Sequence, residues 1–144
     1  MSRQRSQARR LAVQAIYQWQ LAGQNIGDIV AHMLTETDTN PKKLDVDYFR
    51  SLVEGISSNV GKLDEALKPH LARSIDSVDP VERAVLRLGV YELMNHIEVP
   101  YRVVINESVE LAKTFGAEQG HKFVNGVLDK ASKELRAVEW GAKS

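Results

Sequence analysis

The chain has no cysteine, so disulfide cross-links and thiolate zinc sites are excluded, and a reducing compartment fits. It has no apolar run approaching the roughly 18–20 residues a membrane helix requires, which argues against a membrane role. The segment Leu11 to Gln20 carries Gln14, Gln18 and Gln20 and so lacks the apolar stretch of a signal peptide. These absences together read as a soluble cytoplasmic protein. Catalytic signatures are also missing. His32, His70, His96 and His121 lie far apart, and none has a carboxylate or second histidine at metal-ligand spacing on one helix face. There is no nucleophile elbow. The segment Gly116 to Lys122 is one residue short of a phosphate-binding loop, has no Ser or Thr after the lysine, and follows a helical pattern rather than a strand. No enzyme activity, cofactor or metal is expected.

Acids are missing from the start of the chain. Residues 1–20 hold Arg3, Arg5, Arg9 and Arg10, and the first acid is Asp28. With a formal net charge of +0, the first 20 residues carry +4 and the remainder −4. A basic arm on a neutral body is the footprint of a protein that meets a polyanion. A solvated terminus or a positive helix face would give the same charge.

What is present is helical periodicity. Leu11, Ala12, Ala15, Ile16, Trp19 and Ala22 form one stripe on a helix from Gln7, stopped by Gly23. Further helices are expected over 27–35, 45–59 and from Leu63 to Leu71, the last ended or kinked by Pro69. Asp79 as N-cap, Pro80 at the first helical position and Glu82 at the third mark the clearest start. The helix that follows is apolar on nearly every side, as a central helix must be. Two more are expected over 104–115, with Gly116 as C-cap, and over 119–138. Arg102 to Ile105 is the one β-branched stretch, too short for a strand that stands alone. The expected fold is all-α: a single domain over 1–144, a compact bundle of about seven helices, divisible into two small sub-bundles near Ser74 to Asp79.

Two clusters invite a functional reading. On the first helix Arg9, Val13, Tyr17 and Gln20 line up beside the core stripe, so Val13 and Tyr17 are expected off the core face. The alternative is cover by a neighbouring helix. On the last helix Phe123 lies at the stripe's edge, with Lys122, Gly126 and Lys130 beside it. An aromatic between lysines suits stacking of an unpaired base. Equally, Phe123 could be core and Gly126 a helix crossing point. Asp79 and Glu82 are explained as caps; Asp76 has no such role.

Several segments together resemble the NusB family of bacterial antitermination factors. They are Val13 to Trp19, Pro80 to Arg87, Val99 to Glu107, Lys113 to Ala117, and above all His121 to Asp129 (HKFVNGVLD). The likeness covers essentially the whole chain. It implies an all-helical protein that binds boxA-type single-stranded RNA together with a small ribosomal protein, NusE. Through these it joins RNA polymerase and other Nus factors and promotes read-through in ribosomal RNA operons. The resemblance carries RNA contacts onto Arg5, Arg9, Gln119, Lys122 and Phe123, with Arg10 compensating for an arginine run that Ser6 and Gln7 interrupt. It carries partner contacts onto Tyr17, Asp76 and Glu82. His70 stands where close relatives commonly have Tyr. Two alternatives remain: a scaffold or ribosome-biogenesis adapter that does not read RNA, and the helical module of a ribosomal RNA methyltransferase. The second would need a glycine-rich cofactor-binding region, which these residues lack.

Overall fold

The computed structural model describes residues 2–141. The elements, in order, are α1 (Arg3–Ala22), α2 (Ile26–Glu36), α3 (Val46–Ser58), α4 (Val60–Leu67), α5 (Pro80–Asn95), α6 (Tyr101–Phe115), α7 (Gly120–Leu135) and α8 (Ala137–Gly141). Short 3₁₀ turns at Lys68–His70 and Ile75–Ser77 join α4 to α5. No strand occurs among the described residues, and Arg102 to Ile105 lies in the first turns of α6. No described helix is long and apolar enough to cross a membrane.

Side-chain caps set most of the helix starts. Ser2 accepts from Arg5 N, Asn25 from Gly27 N and Asp28 N, Asp45 from Tyr48 N, and Asp79 from Val81 N and Glu82 N. The Ser2 cap starts α1 at Arg3, four residues before the expected start at Gln7. The first helix ends on Gly23, whose φ of 64° is left-handed and whose N–H bonds Trp19 O. By contrast Gly116 ends α6 in extended backbone.

Helix α5 is central. Every residue from Ala84 to Val90 is buried, and α5 packs against α1, α3, α4, α6 and α7. At Gly89 an added Cβ would stand 2.8 Å from Leu128 Cδ1 and 3.0 Å from Ser108 Oγ, so the absent side chain lets α6 and α7 close on α5. The apolar residues of α1 to α7 form one hydrophobic cluster.

Charged networks run through this core. Arg87 makes two 2.9 Å bonds to Asp64 on α4 and a third to Gln20 Oε1 on α1, while Gln20 Nε2 donates to Pro80 O. Arg136, 4% exposed, donates to the carbonyls of Glu92, Leu93 and His96 at the end of α5. That anchor breaks the last helix into α7 and α8. It also brings Glu139 to Tyr101 N, where the carboxylate caps α6 three residues earlier than the local sequence suggested.

Candidate nucleic-acid and partner interface

The acid-free face of α1 is less open than its charge implied. Arg9 is 2% exposed. Its Nε and Nη2 each lie 2.8 Å from Glu92 carboxylate oxygens, its Nη1 lies 2.9 Å from Glu107 Oε1, and Tyr48 hydroxyl donates to the same Glu92. Burial lowers the guanidinium pKa, but the hydrogen bonds and charge of Glu92, with Tyr48 and Glu107, outweigh it and raise the pKa above its ordinary value. Burial and the same carboxylate push the Tyr48 phenol up, against the opposing pull of Arg9 and Arg5. The expectation that Arg9 contacts RNA is therefore corrected: each of its three nitrogens bonds a carboxylate inside the bundle, and the side chain is buried.

Arg5 is half-buried. It lies 4.3 Å from the centre of the Tyr48 ring, with longer ion pairs to Asp45 (3.9 Å) and Glu98 (3.8 Å). Arg10 is exposed, and its guanidinium sits over the Phe115 ring at 6.0 Å. Around it a polar hollow of about 700 Å³ is lined by Arg3, Gln7, Arg10, Gln14, Lys43 and Phe115, among others.

Further along α1, Tyr17 is 37% exposed and Leu21 56%. With Met33 of α2, Val81 of α5 and Phe115 at the end of α6, they line an apolar groove of about 540 Å³. Val13 also reaches this groove, but at 2% exposure it is a core residue, which corrects its expected placement off the core face. α1 packs against α2, α3, α5 and α6, so its inward arc is wider than one stripe. Phe115 lines both hollows; it was not singled out as a site residue, and its sequence signals were its place at the end of a helix and within the segment Lys113 to Ala117.

The first turn of α7 follows at once. Gln119 and Lys122 are exposed, and Phe123 is half-buried at the edge of the core. Gly126 is exposed, with nothing within 4 Å of an added Cβ, so the helix-crossing reading fails there. Lys122, Gly126 and Lys130 form an open stripe at spacings of four. Gly126→Ala is expected to raise stability by about 0.5–1 kcal/mol in denaturant unfolding. No gain would mean that the site is not free. The new methyl group would also obstruct any ligand that approaches this backbone closely.

The acids at the start of α5 divide. Asp79 caps the helix, and Asp76 is exposed on the preceding 3₁₀ turn. Glu82 is half-buried and turns its carboxylate to α7, where it lies against Gly120. Burial and the charge of Asp79 push its carboxyl above the ordinary range, opposed by Arg73. His70, its side chain 10% exposed, has Nε2 3.1 Å from Glu134 Oε1. No group of metal-ligating side chains forms among the described residues.

Comparison with known proteins agrees over most of the chain. A family model described as "NusB family" matches residues 6–133. Transcription antitermination protein NusB of Pseudoalteromonas translucida (strain TAC 125) is 59% identical over 132 residues, 92% of this chain and 96% of its own. The protein of the same name from Idiomarina loihiensis is 57% identical over 132 residues, 92% and 94% respectively. Among solved structures, antitermination factors NusB and NusE in complex with dsRNA give a TM-score of 0.83 at 33% identity, covering 93% of this chain and 99% of that one. T. maritima NusB gives 0.82 at 30% identity, covering 98% and 99%. With a family model spanning nearly all of the bundle and relatives well above half identical, this chain belongs to the NusB family.

Proposed function

We propose that this chain is a transcription antitermination factor that binds boxA-type single-stranded RNA together with NusE and promotes read-through in ribosomal RNA operons. It acts in the cytoplasm, reaches RNA polymerase and other Nus factors through that complex, and performs no catalysis. One observation carries the reading: an apolar groove with an exposed tyrosine and a lysine-bearing first helical turn are joined in the chain by residues 116–119, directly after the groove's Phe115. The groove suits a protein partner, and a similar solved structure is of NusB and NusE in complex with dsRNA. The first turn of α7 suits RNA. Phe123 offers the edge of a ring for stacking, Gln119 an amide for a base edge, and Lys122, with Arg10 on α1, charge for phosphates. Arg5 would serve as a rim contact, in exchange for its long ion pairs. On the partner side Tyr17 and the acids Asp76 and Glu82 would meet NusE.

Titration of a labelled boxA-like RNA over a salt series, with and without NusE, tests this. Each phosphate contact contributes about 0.7 to the log–log slope for a single strand, so a handful of cations predicts weak, salt-sensitive binding alone and useful affinity only with NusE. Phe123→Leu keeps the packing and removes the ring; it is expected to lower RNA affinity about tenfold, within the roughly 1–3 kcal/mol of one stacked base. Unchanged RNA binding in that variant would remove Phe123 from the site. NusE binding without any RNA binding would favour the scaffold reading instead.

A further inference from the structure

We propose that Tyr48 is a positioning residue for RNA binding: its ring, locked inside the bundle by Glu92, holds the Arg5 guanidinium by its flat face and leaves the N–H edge for a phosphate. The proposal deepens the function proposed above and rests on RNA meeting the rim of α1 at Arg5.

Arg5 and Arg9 stand one turn apart on the same side of α1. Arg9 spends its nitrogens on Glu92 and Glu107. Arg5 does not, because Asp45 at 3.9 Å and Glu98 at 3.8 Å stand beyond hydrogen-bond distance. What fixes it is the Tyr48 ring, whose centre lies 4.3 Å from the central guanidinium carbon. A ring takes a guanidinium by its face, whereas a phosphate takes the N–H edge, so the two contacts do not compete. The ring is itself held. Tyr48 is buried, its hydroxyl donates to Glu92, and its backbone N–H donates to Asp45 Oδ1 at 2.9 Å. Burial and Glu92 keep the phenol protonated. A phenol that donates to a carboxylate gains electron density, which makes its ring face more negative toward a cation. Asp45 N also donates to Gln4 O at 3.2 Å, which pins the start of α3 to α1 one residue before Arg5. The two acids can release Arg5 without being stranded: Asp45 keeps the Tyr48 N–H, and Glu98 keeps His96 Nδ1 at 3.1 Å. Arg5 therefore meets RNA already oriented, and the entropy of its long side chain is lost on folding rather than on binding.

A double-mutant cycle on RNA affinity tests this, with a labelled boxA-like RNA at low salt. Arg5→Ala is expected to lower affinity about tenfold. Tyr48→Leu is expected to lower it about fivefold, and to change it less than about 1.5-fold once Arg5 is alanine. In a Lys122→Ala background, with the lost contact on α7, Tyr48→Leu should again cost about fivefold. General damage to the bundle would weaken binding in all three backgrounds alike. Tyr48→Phe loses the hydroxyl as Tyr48→Leu does but keeps the ring, and should stay within about twofold of the wild-type chain. NMR of the wild-type chain gives a readout that needs no variant: the ring current of Tyr48 should shift the Arg5 Hδ protons upfield, with and without RNA. Thermal unfolding shows that each variant is folded; should Tyr48→Leu not fold, these shifts and Arg5→Ala decide. Equal losses from Tyr48→Leu with and without Arg5, equal losses in Tyr48→Phe and Tyr48→Leu, or unshifted Arg5 protons would overturn the proposal. So would unchanged RNA affinity in Arg5→Ala, a result that leaves the RNA reading standing on α7. A wild-type chain that binds no RNA would remove that reading and the positioning with it.

Discussion

Glu92→Ala is expected to lower folding stability by about 3–5 kcal/mol. Glu92 is fully buried on α5, and its two carboxylate oxygens take Arg9 from α1 and Tyr48 from α3. Three helices thus meet on one side chain. Removing it leaves a guanidinium 2% exposed with Glu107 as its remaining acid, and a phenol with its best acceptor gone. A buried charge that loses its partner costs more than the pair contributed, because water cannot return to solvate it. The asymmetry gives the control. Arg9→Met/Glu92→Leu removes both charges and keeps much of the volume, and should lose far less than Glu92→Ala or even gain. Urea unfolding of the three proteins measures this. A Glu92→Ala loss below about 1 kcal/mol would show that the network is solvated in solution. Arg9→Ala is expected to behave like Glu92→Ala, so weakened RNA binding in that variant would report a damaged bundle rather than a lost phosphate contact.

How much of this could be read from the sequence follows from where the partners lie. The start of α5 was legible because Asp79, Pro80 and the N–H groups it caps are adjacent. The apolar residues Ala84, Val85, Leu86, Leu88 and Val90, spread round the helix, declared a central element without any knowledge of its neighbours. Arg9 was misread because its acids are 83 and 98 residues away, and no spacing rule links them. The early start of α6 and the break before α8 were missed for the same reason: Glu139 caps the one, and Arg136, bound to the end of α5, sets the other. The exposed turn of α7 was legible, since Lys122, Gly126 and Lys130 form one stripe and no neighbour covers it. The groove beside it was not, because its walls come from α1, α2, α5 and α6.

Tyr17→Asp should reduce affinity for NusE at least about thirtyfold, corresponding to the loss of roughly 2 kcal/mol or more at one interface anchor, while the bundle stays folded. Tyr17 is 37% exposed and stands on the wall of the apolar groove with Leu21, Met33, Val81 and Phe115. An aromatic ring in such a place supplies broad contact area at little cost in side-chain entropy. An aspartate there loses the ring and places a carboxylate where a docked partner would have to strip its water. The free chain is spared that penalty because the groove is open to solvent, so the change in stability should stay within about 0.5 kcal/mol, as for other surface substitutions. Tyr17→Phe separates the ring from its hydroxyl and should keep most of the affinity. Calorimetric titration with NusE, and thermal unfolding of the same samples, read the two effects apart. A large fall in melting temperature would mean that the ring supports the core, and full affinity in a folded Tyr17→Asp variant would place NusE elsewhere on the bundle. The RNA titration then gives a third reading on the same variant: without NusE its RNA affinity should equal that of the wild-type chain, because Tyr17 touches the groove and not the first turn of α7.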